Sequence, residues 1–585
     1  MKLTLCLDRG RISIEVIHLK SKKYSKHIVI LFFFMLQLHI LQAQLKLAPN
    51  TYLISFTDRN NNSFEVTKPE KFLSPRSLLR RQRQNISIKL DDLPVSSFYM
   101  DSLRRMGFTI ANSSKWHNAV SVNVADTSLF DKLTNVSFVI PSTTYKSLRS
   151  VESKRKKTDD TSYQVKSLPI DFYGLSHDQI AIHNGDYLHT HGYRGQGMLI
   201  AVLDAGFNNA NNMSTLDSLW IENRVKLMRD TYDPNGNVFT EDSHGSMVLS
   251  TMAADIPGSM VGTAPKADYL LLRSENATTE TNGNQFEYLI EEFNWSVAAE
   301  LADSMGADII STSLGYTQFN DPLMNHTYQD MNGHTTLISK SAAKASSKGM
   351  IVVVSAGNEG SDPWHYISAP ADADSILTVG AIDIKGTIAE FSSVGPTFDN
   401  RIKPDVMAVG YKTTIETPGN AIVQGYGTSF SAPIISGLVA CLWQANPDKS
   451  NIEIINAIKQ SSSQYASPDN LKGYGIPDFK EAYLNLNPIV RLNNQCIIAC
   501  PSRIIAWPCP FAKVLNIAFG PIMEDHVTLA IFDLTGRKIL EKIVKDNKNE
   551  ANVIILSDLS SFSKGMYIVR MSTGKETIEC KAIKL

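Results

Sequence analysis

The sequence predicts an α/β protein whose main body is a mainly parallel sheet with helices on both faces, preceded by a small α+β domain and followed by a small β-sandwich. Three observations carry this. Between about 172 and 487, continuous apolar runs alternate with longer helical patterns, the rhythm of strands buried on both faces. Before that block alternating segments mix with short helical patterns, and after it short alternating strands with turn signals return. The 585 residues also exceed the ~100–200 that one domain usually holds.

The elements follow in order. Lys20, Lys22, Lys23 and Lys26 precede "IVILFFFMLQLHIL" (28–41) and "QAQ". A basic start, an apolar core and a small residue near a cleavage point predict a signal peptide region over 1–44. The apolar core is shorter than the ~20 residues that span a bilayer, so export is expected rather than an integral membrane protein. In 45–150, "TYLISF" (51–56) and "AVSVNVA" (119–125) read as strands and "SSFYMDSLRRMGF" (96–108) as an amphipathic helix. The basic run "RSLLRRQRQ" (76–84) reads as a solvated helix face. No aromatic platform accompanies it and the net charge is −1, so no nucleic-acid partner is expected. The charged stretch "ESKRKKTDDTSYQVK" (152–166) places a linker over 151–171.

In the main block, "MLIAVL" (198–203), "DYLLL" (268–272), "DII" (308–310), "MIVVV" (350–354) and "SILTVGAI" (375–382) read as strands. Helices are expected over 285–306 and 335–349, with Gly306 and Gly349 as C-terminal caps. "GYGTSFSAPIISGLVACLW" (425–443) begins small and hydroxyl-rich and continues apolar at helical spacing. Thr428, Ser429, Ser431 and Ser436 crowd that junction, and Ser and Thr are preferred helix caps. Over 498–585, "VTLAIFDLTGRKIL" and "GMYIVRMSTGKETIECKAIKL" read as sandwich strands and turns. Of six cysteines, Cys6 leaves with the leader and Cys441 sits on the apolar helix as a small core residue. Cys496, Cys500, Cys509 and Cys580 lie in an exported tail where disulfides can form, but pairing is not readable from sequence, and the spacings do not fit zinc.

Parallel sheets bind ligands beyond the carboxyl ends of their strands. Asp204 follows "MLIAVL", Asn358 follows "MIVVV" within "SAGNEG", and His244 opens the helical pattern of "DSHGSMVLSTMAA" (242–254). Ser429 stands at the start of the apolar helix. Singly these are a turn Asp, a surface His, a turn Asn and a cap. Their order carries the weight. "AVLDAG", "HGSMVLSTMA", "GTAPKADYLLLRSE", "STSLG", "VVSAGNEG" and "GTSFSAP" together resemble the motifs of the subtilisin-like serine proteases, the subtilases, over roughly 174–487. The serine motif alone would arise by chance about one time in a thousand or less.

The resemblance implies a secreted serine endopeptidase acting on polypeptides. Ser429 would be the nucleophile, His244 its base, Asp204 the orienting carboxylate and Asn358 the oxyanion donor. Substrate would lie along Ser313, Leu314 and Gly315, with Ser355, Ala356 and Gly357 walling a roomy, mainly apolar slot floored near Ser368. Ala205 stands where a Ser or Thr often follows the aspartate, which removes a hydroxyl donor, and Phe430 replaces a common methionine. Calcium is frequent in the family, but no acidic ligand cluster here is clear enough to assign one, and no other cofactor is implied. "FLSPRSLLRR", "DLPVSSFY" and "WHNAVSV" resemble subtilase propeptides, implying a self-processed precursor. "AWPCPFAKVLNIAF" and the strands after it resemble the type IX secretion sorting domain, implying transport across both membranes to the surface or medium. The competing reading is a catalytically silent surface-binding protein on the same scaffold.

Overall fold

The computed structural model describes residues 4–8, 11–15, 45–140, 172–276, 286–487, 489–492, 495–498, 504–507, 511–519, 526–545, 552–572 and 577–584. The basic-apolar leader (20–41) and the charged stretch 152–166 lie outside the described residues.

The N-terminal part runs Leu45–Ala48 (β1), Thr51–Ser55 (β2), Pro75–Arg83 (α1), Ser97–Met106 (α2), Thr109–Ser114 (β3) and Ala119–Asn123 (β4). The strands form an antiparallel sheet in the order β1-β2-β4-β3. Alternation sends the two faces to different partners. Ile54, Val120 and Val122 pack on Tyr99 and Leu103 of α2, whereas Leu47, Leu53 and Ala119 join the core of the central domain. The Ser74 side chain caps α1 by accepting the Ser77 N–H, and Pro75 occupies the first turn, where its missing N–H is not needed.

α1 corrects the sequence expectation of a solvated basic face. Arg80 and Arg81 are buried against the central domain. Both pair with Asp303, at 2.5 and 2.9 Å, and Lys115 Nζ reaches the same carboxylate at 2.9 Å. Sequence pattern exposes charge by default. Here both arginines face the buried carboxylate of Asp303, more than 200 residues away in the chain.

The central domain is a seven-stranded, wholly parallel sheet. Its strands are Leu199–Asp204 (β5), Val225–Asp230 (β6), Asp268–Arg273 (β7), Ile309–Thr312 (β8), Ile351–Ser355 (β9), Leu377–Ile382 (β10) and Val406–Val409 (β11), ordered β11-β10-β9-β8-β5-β7-β6. Ile200 and Val202 point to the layer of His244–Ala253 (α3) and Thr428–Ala445 (α6), and Leu199, Ala201 and Leu203 point to that of Ile290–Met305 (α4) and Leu337–Ser347 (α5). Gly306 caps α4 at φ +87°, a left-handed conformation that suits glycine. α6 is apolar enough to cross a membrane by composition, yet 83% of that window is buried in the protein core.

The C-terminal part is a sandwich of two antiparallel sheets. Ile504–Trp507 (β12), Leu515–Phe519 (β13) and Asn552–Leu556 (β16) form one, in the order β12-β13-β16. His526–Asp533 (β14), Lys538–Lys545 (β15), Gly565–Ser572 (β17) and Thr577–Lys584 (β18) form the other, in the order β15-β14-β17-β18. Leu515, Ile517, Leu529, Ile531, Val569 and Met571 fill the space between them.

Candidate active site

Asp204 ends β5 and is fully buried. Its Oδ1 accepts from the Ala205 N–H at 2.8 Å and lies 2.7 Å from His244 Nδ1. With Nδ1–H committed to the carboxylate, the basic nitrogen of the ring is Nε2. His244 is the first residue of α3, and its N–H donates to Asp242 Oδ1 at 2.6 Å, so a carboxylate stands at the positive end of that helix.

Ser429 lies in the first turn of α6. Gly427 precedes the helix at φ +143°, a conformation an L side chain rarely adopts. Ser429 is therefore the second helical residue rather than the cap, and its N–H has no intrahelical carbonyl to reach. The Phe430 ring sits 6.1 Å from the His244 ring, centroid to centroid, which seats the Ser429 turn beside the imidazole. Ser429 Oγ lies 3.4 Å from the Ser313 carbonyl oxygen, a long contact. Exposure separates the four hydroxyls of the junction: Thr428, Ser431 and Ser436 are 0–1% exposed and Ser429 is 9% exposed.

Pro433 links this turn to the neighbouring strand end. Proline has no N–H, so the carbonyl four residues back, that of Ser429, loses its helical donor. Ser313 Oγ supplies the missing bond at 2.8 Å. The proline that weakens the helix thereby ties Ser429 to Ser313-Leu314-Gly315, just beyond β8.

Asn358 lies three residues past β9, exposed. Its Oδ1 accepts from the Thr428 N–H and the Thr428 hydroxyl, each at 2.9 Å. A backbone N–H can only donate, so the oxygen is fixed at Thr428 and Nδ2 becomes the outward donor. Thr428 Oγ1 also accepts the Gly357 N–H at 3.2 Å. Thr428 thus orients the amide, a role the sequence did not reveal.

Polar side chains pack against Gly315 and Gly357. A Cβ at Gly315 would meet Ser368 Oγ at 2.3 Å, and one at Gly357 would meet Glu359 Oε2 at 2.4 Å and Ser368 Oγ at 3.1 Å. Ser368 Oγ is buried without a protein hydrogen-bond partner, and the Ser393 hydroxyl donates to Glu359 at 2.9 Å. A hydroxyl and a carboxylate thus lie close against these two glycines. Among the described residues no group of three or more His, Cys, Asp or Glu side chains is placed to hold a metal ion.

Three family models match the chain: the subtilase family over 195–475, the Bacteroidota peptidase S8 propeptide domain over 51–162, and the secretion system C-terminal sorting domain over 505–584. The chain is 27% identical to the serine protease AprX of Bacillus subtilis (strain 168) over 336 residues, 53% of this chain and 71% of that protein. It is 26% identical to subtilisin DY of Bacillus licheniformis over 286 residues, 48% of this chain and 90% of that protein. Among solved structures, MycP1 from Mycobacterium smegmatis aligns at 24% identity and a TM-score of 0.42, covering 56% of this chain and 89% of that one.

Proposed function

We propose, for a chain whose central domain belongs to the subtilase family and which is a serine-type endopeptidase, that Asp204, His244, Ser429 and Asn358 carry the reaction. His244 Nε2 takes the Ser429 hydroxyl proton as Oγ attacks the scissile carbonyl. The Asn358 Nδ2–H and the Ser429 N–H receive the developing oxyanion, and Asp204 stabilises the imidazolium. His244 then gives the proton to the leaving amine, which departs and leaves an acyl-enzyme. Water, deprotonated by the same histidine, releases the acid. One oxyanion donor of this kind is worth about 10²–10³ in rate. The carrying observation is the 2.7 Å Asp204–His244 contact, with the ring of Phe430, the residue after Ser429, 6.1 Å from the imidazole.

The substrate lies extended along Ser313-Leu314-Gly315, its side chain entering the slot walled by Ser355, Ala356 and Gly357. The chain is a secreted protease with a propeptide domain and a sorting tail. In our reading 45–150 is a propeptide released by self-processing within the linker 151–171, 172–487 is the enzyme, and 498–585 delivers it through the type IX machinery to the surface or medium. Ser429→Ala should abolish both casein hydrolysis and precursor processing. Retained hydrolysis would remove Ser429 from its role, and intact processing in a dead enzyme would assign the cut to another protease.

A further inference from the structure

Only one oxygen of Asp204 finds partners: Oδ1 takes the Ala205 N–H and faces His244 Nδ1. Its Oδ2 is buried with no protein hydrogen-bond donor, and the next residue, Ala205, has no hydroxyl to offer. Something else must hold the carboxylate in aim. β7 runs parallel beside β5 in a register that sets Arg273 opposite Asp204. Arg273 is buried, and its Nε–H donates to the Ala205 carbonyl at 3.1 Å. The next N–H, of Ser274, donates to the Asp204 carbonyl at 3.1 Å. Two consecutive residues at the end of β7 therefore hold two consecutive carbonyls of the turn that carries the carboxylate.

The charges facing Arg273 are accounted for. Asp230 at the end of β6 lies 2.6 Å from Nη1, Glu241 lies 3.9 Å from Nη2, and the Tyr232 ring stacks at 5.4 Å. With Asp230 anchoring the guanidinium, its Nε–H is set on Ala205. The turn continues into Gly206, where a Cβ would meet the Asp242 backbone N and O at 2.6 Å. Asp242 in turn accepts the His244 N–H. A shift of the 204–206 turn would thus displace both the carboxylate and the start of the helix bearing the histidine.

We infer that Arg273 is a positioning residue for the Asp204–His244 pair, doing through the Ala205 carbonyl what a hydroxyl at position 205 would do directly. The inference rests on the catalytic reading above. A misplacement of the order of 1 Å at such a pair costs up to about 10²-fold in rate. A purely structural ion pair would instead change stability and leave the chemistry of the folded enzyme alone.

The test uses the mature enzyme. Arg273→Lys keeps a cation for Asp230 and gives up the Nε–H to Ala205. It should lower kcat about tenfold or more with KM changed less than about twofold. The acid limb of kcat/KM should move to lower pH, because a poorly aimed carboxylate stabilises the imidazolium less. Adding Ala205→Ser should restore part of kcat by donating to the orphan Asp204 oxygen. A folded Arg273→Lys enzyme with kcat within about twofold of the parent and an unmoved acid limb overturns the inference. Should Arg273→Lys fail to fold, Asp230→Asn decides, because it keeps Arg273 and weakens the anchor that sets its Nε–H on Ala205: a lower kcat with the acid limb moved to lower pH supports the inference, and an unmoved kcat and acid limb overturn it. Labelling of Ser429 by a fluorophosphonate separates the two levels. If Ser429→Ala retains hydrolysis and labelling, the site itself is misassigned. If that variant is dead while Arg273→Lys is unaffected, only the role of Arg273 falls.

Discussion

Phe430 shows how one side chain beside the proposed nucleophile sets its chemical durability. It is buried, its ring faces the His244 imidazole, and a Cβ at Gly425 would touch that ring at 2.7 Å, so the glycine opposite makes room for it. A methionine of similar volume would fit this space but would bring a thioether to the residue after Ser429. Oxidation turns a thioether into a bulkier polar sulfoxide, which in this space would press on the histidine and the serine turn together. Phe430→Met is therefore expected to fold and to cleave casein, yet to lose activity in dilute peroxide several-fold faster than the parent. Equal inactivation rates would show that oxidation at this position does not limit the enzyme.

At the scale of elements, α6 is where packing and chemistry meet. Its apolar length was readable from periodicity, and so were α4, α5, the strand ends before Asp204 and Asn358, and the helix start at His244. What was not readable depends on contacts between distant segments. Ser429 looks like a cap in sequence, but Gly427 takes that position and leaves Ser429 as the second helical residue. The buried state of Arg80 and Arg81 depends on Asp303, and the polar groups against Gly315 and Gly357 come from Ser368 and Glu359. Close approach at Gly437 was equally hidden. A Cβ there would lie 2.0 Å from Thr263 Oγ1 and 2.8 Å from Thr263 Cβ, and threonine is stiff about χ1. Alanine gains about 1 kcal/mol of helix propensity over glycine. Overpacking against a fixed neighbour costs about 1–3 kcal/mol, so the clash outweighs the gain. Gly437→Ala should lower the melting temperature, and since α6 seats Ser429, it should lower kcat as well. A melting temperature at or above the parent's would mean that the Thr263 segment yields freely.

The whole molecule is organised by the interface between the N-terminal domain and the layer of α4 and α5. Glu300 on α4 accepts the Lys115 N–H at 2.7 Å, the Trp116 N–H at 2.9 Å and the Ser114 hydroxyl. Beside it, His117 Nε2 lies 2.8 Å from Ser341 Oγ. Burial in this interface, aided by Lys340 and Lys344, pushes the His117 imidazole down from 6.5 to about 4, whereas burial pushes the Glu300 carboxyl up to about 7. The two act with opposite sign. A depressed histidine favours docking above its free value and weakens it as pH falls from 6.5 towards 4. A raised carboxyl favours docking at low pH and weakens it as pH rises towards 7. Comparing the parent with His117→Gln cancels Glu300, which both share. With Ser429→Ala blocking processing, the parent precursor should lose melting temperature more steeply than the His117→Gln precursor between pH 6.5 and 4. Parallel curves would place the titration elsewhere.

The Asp303 cluster tests the same interface by charge. Burial alone would raise the Asp303 carboxyl, but Lys115, Arg80 and Arg81 outweigh it and hold the group well below the usual carboxylate range. Three cations from the N-terminal domain thus converge on one fully buried anion of the central domain, with Arg81 also paired to Asp92 at 2.9 Å. Removing one partner of a buried pair costs about 3–5 kcal/mol, because the other charge stays buried without compensation. Asp303→Asn leaves Arg80 and Lys115 in that position, with volume nearly unchanged. In the Ser429→Ala precursor it should detach the N-terminal domain, seen as a lower first unfolding transition and rapid trypsin cleavage after Arg80 and Arg81, which would become accessible. In the active enzyme the same change should raise proteolytic activity in the unprocessed or freshly cut sample, since the propeptide would no longer stay seated. Unchanged trypsin resistance with unchanged activity would show that apolar contacts of Leu47, Leu53 and Ala119 hold the two domains together without the charge cluster.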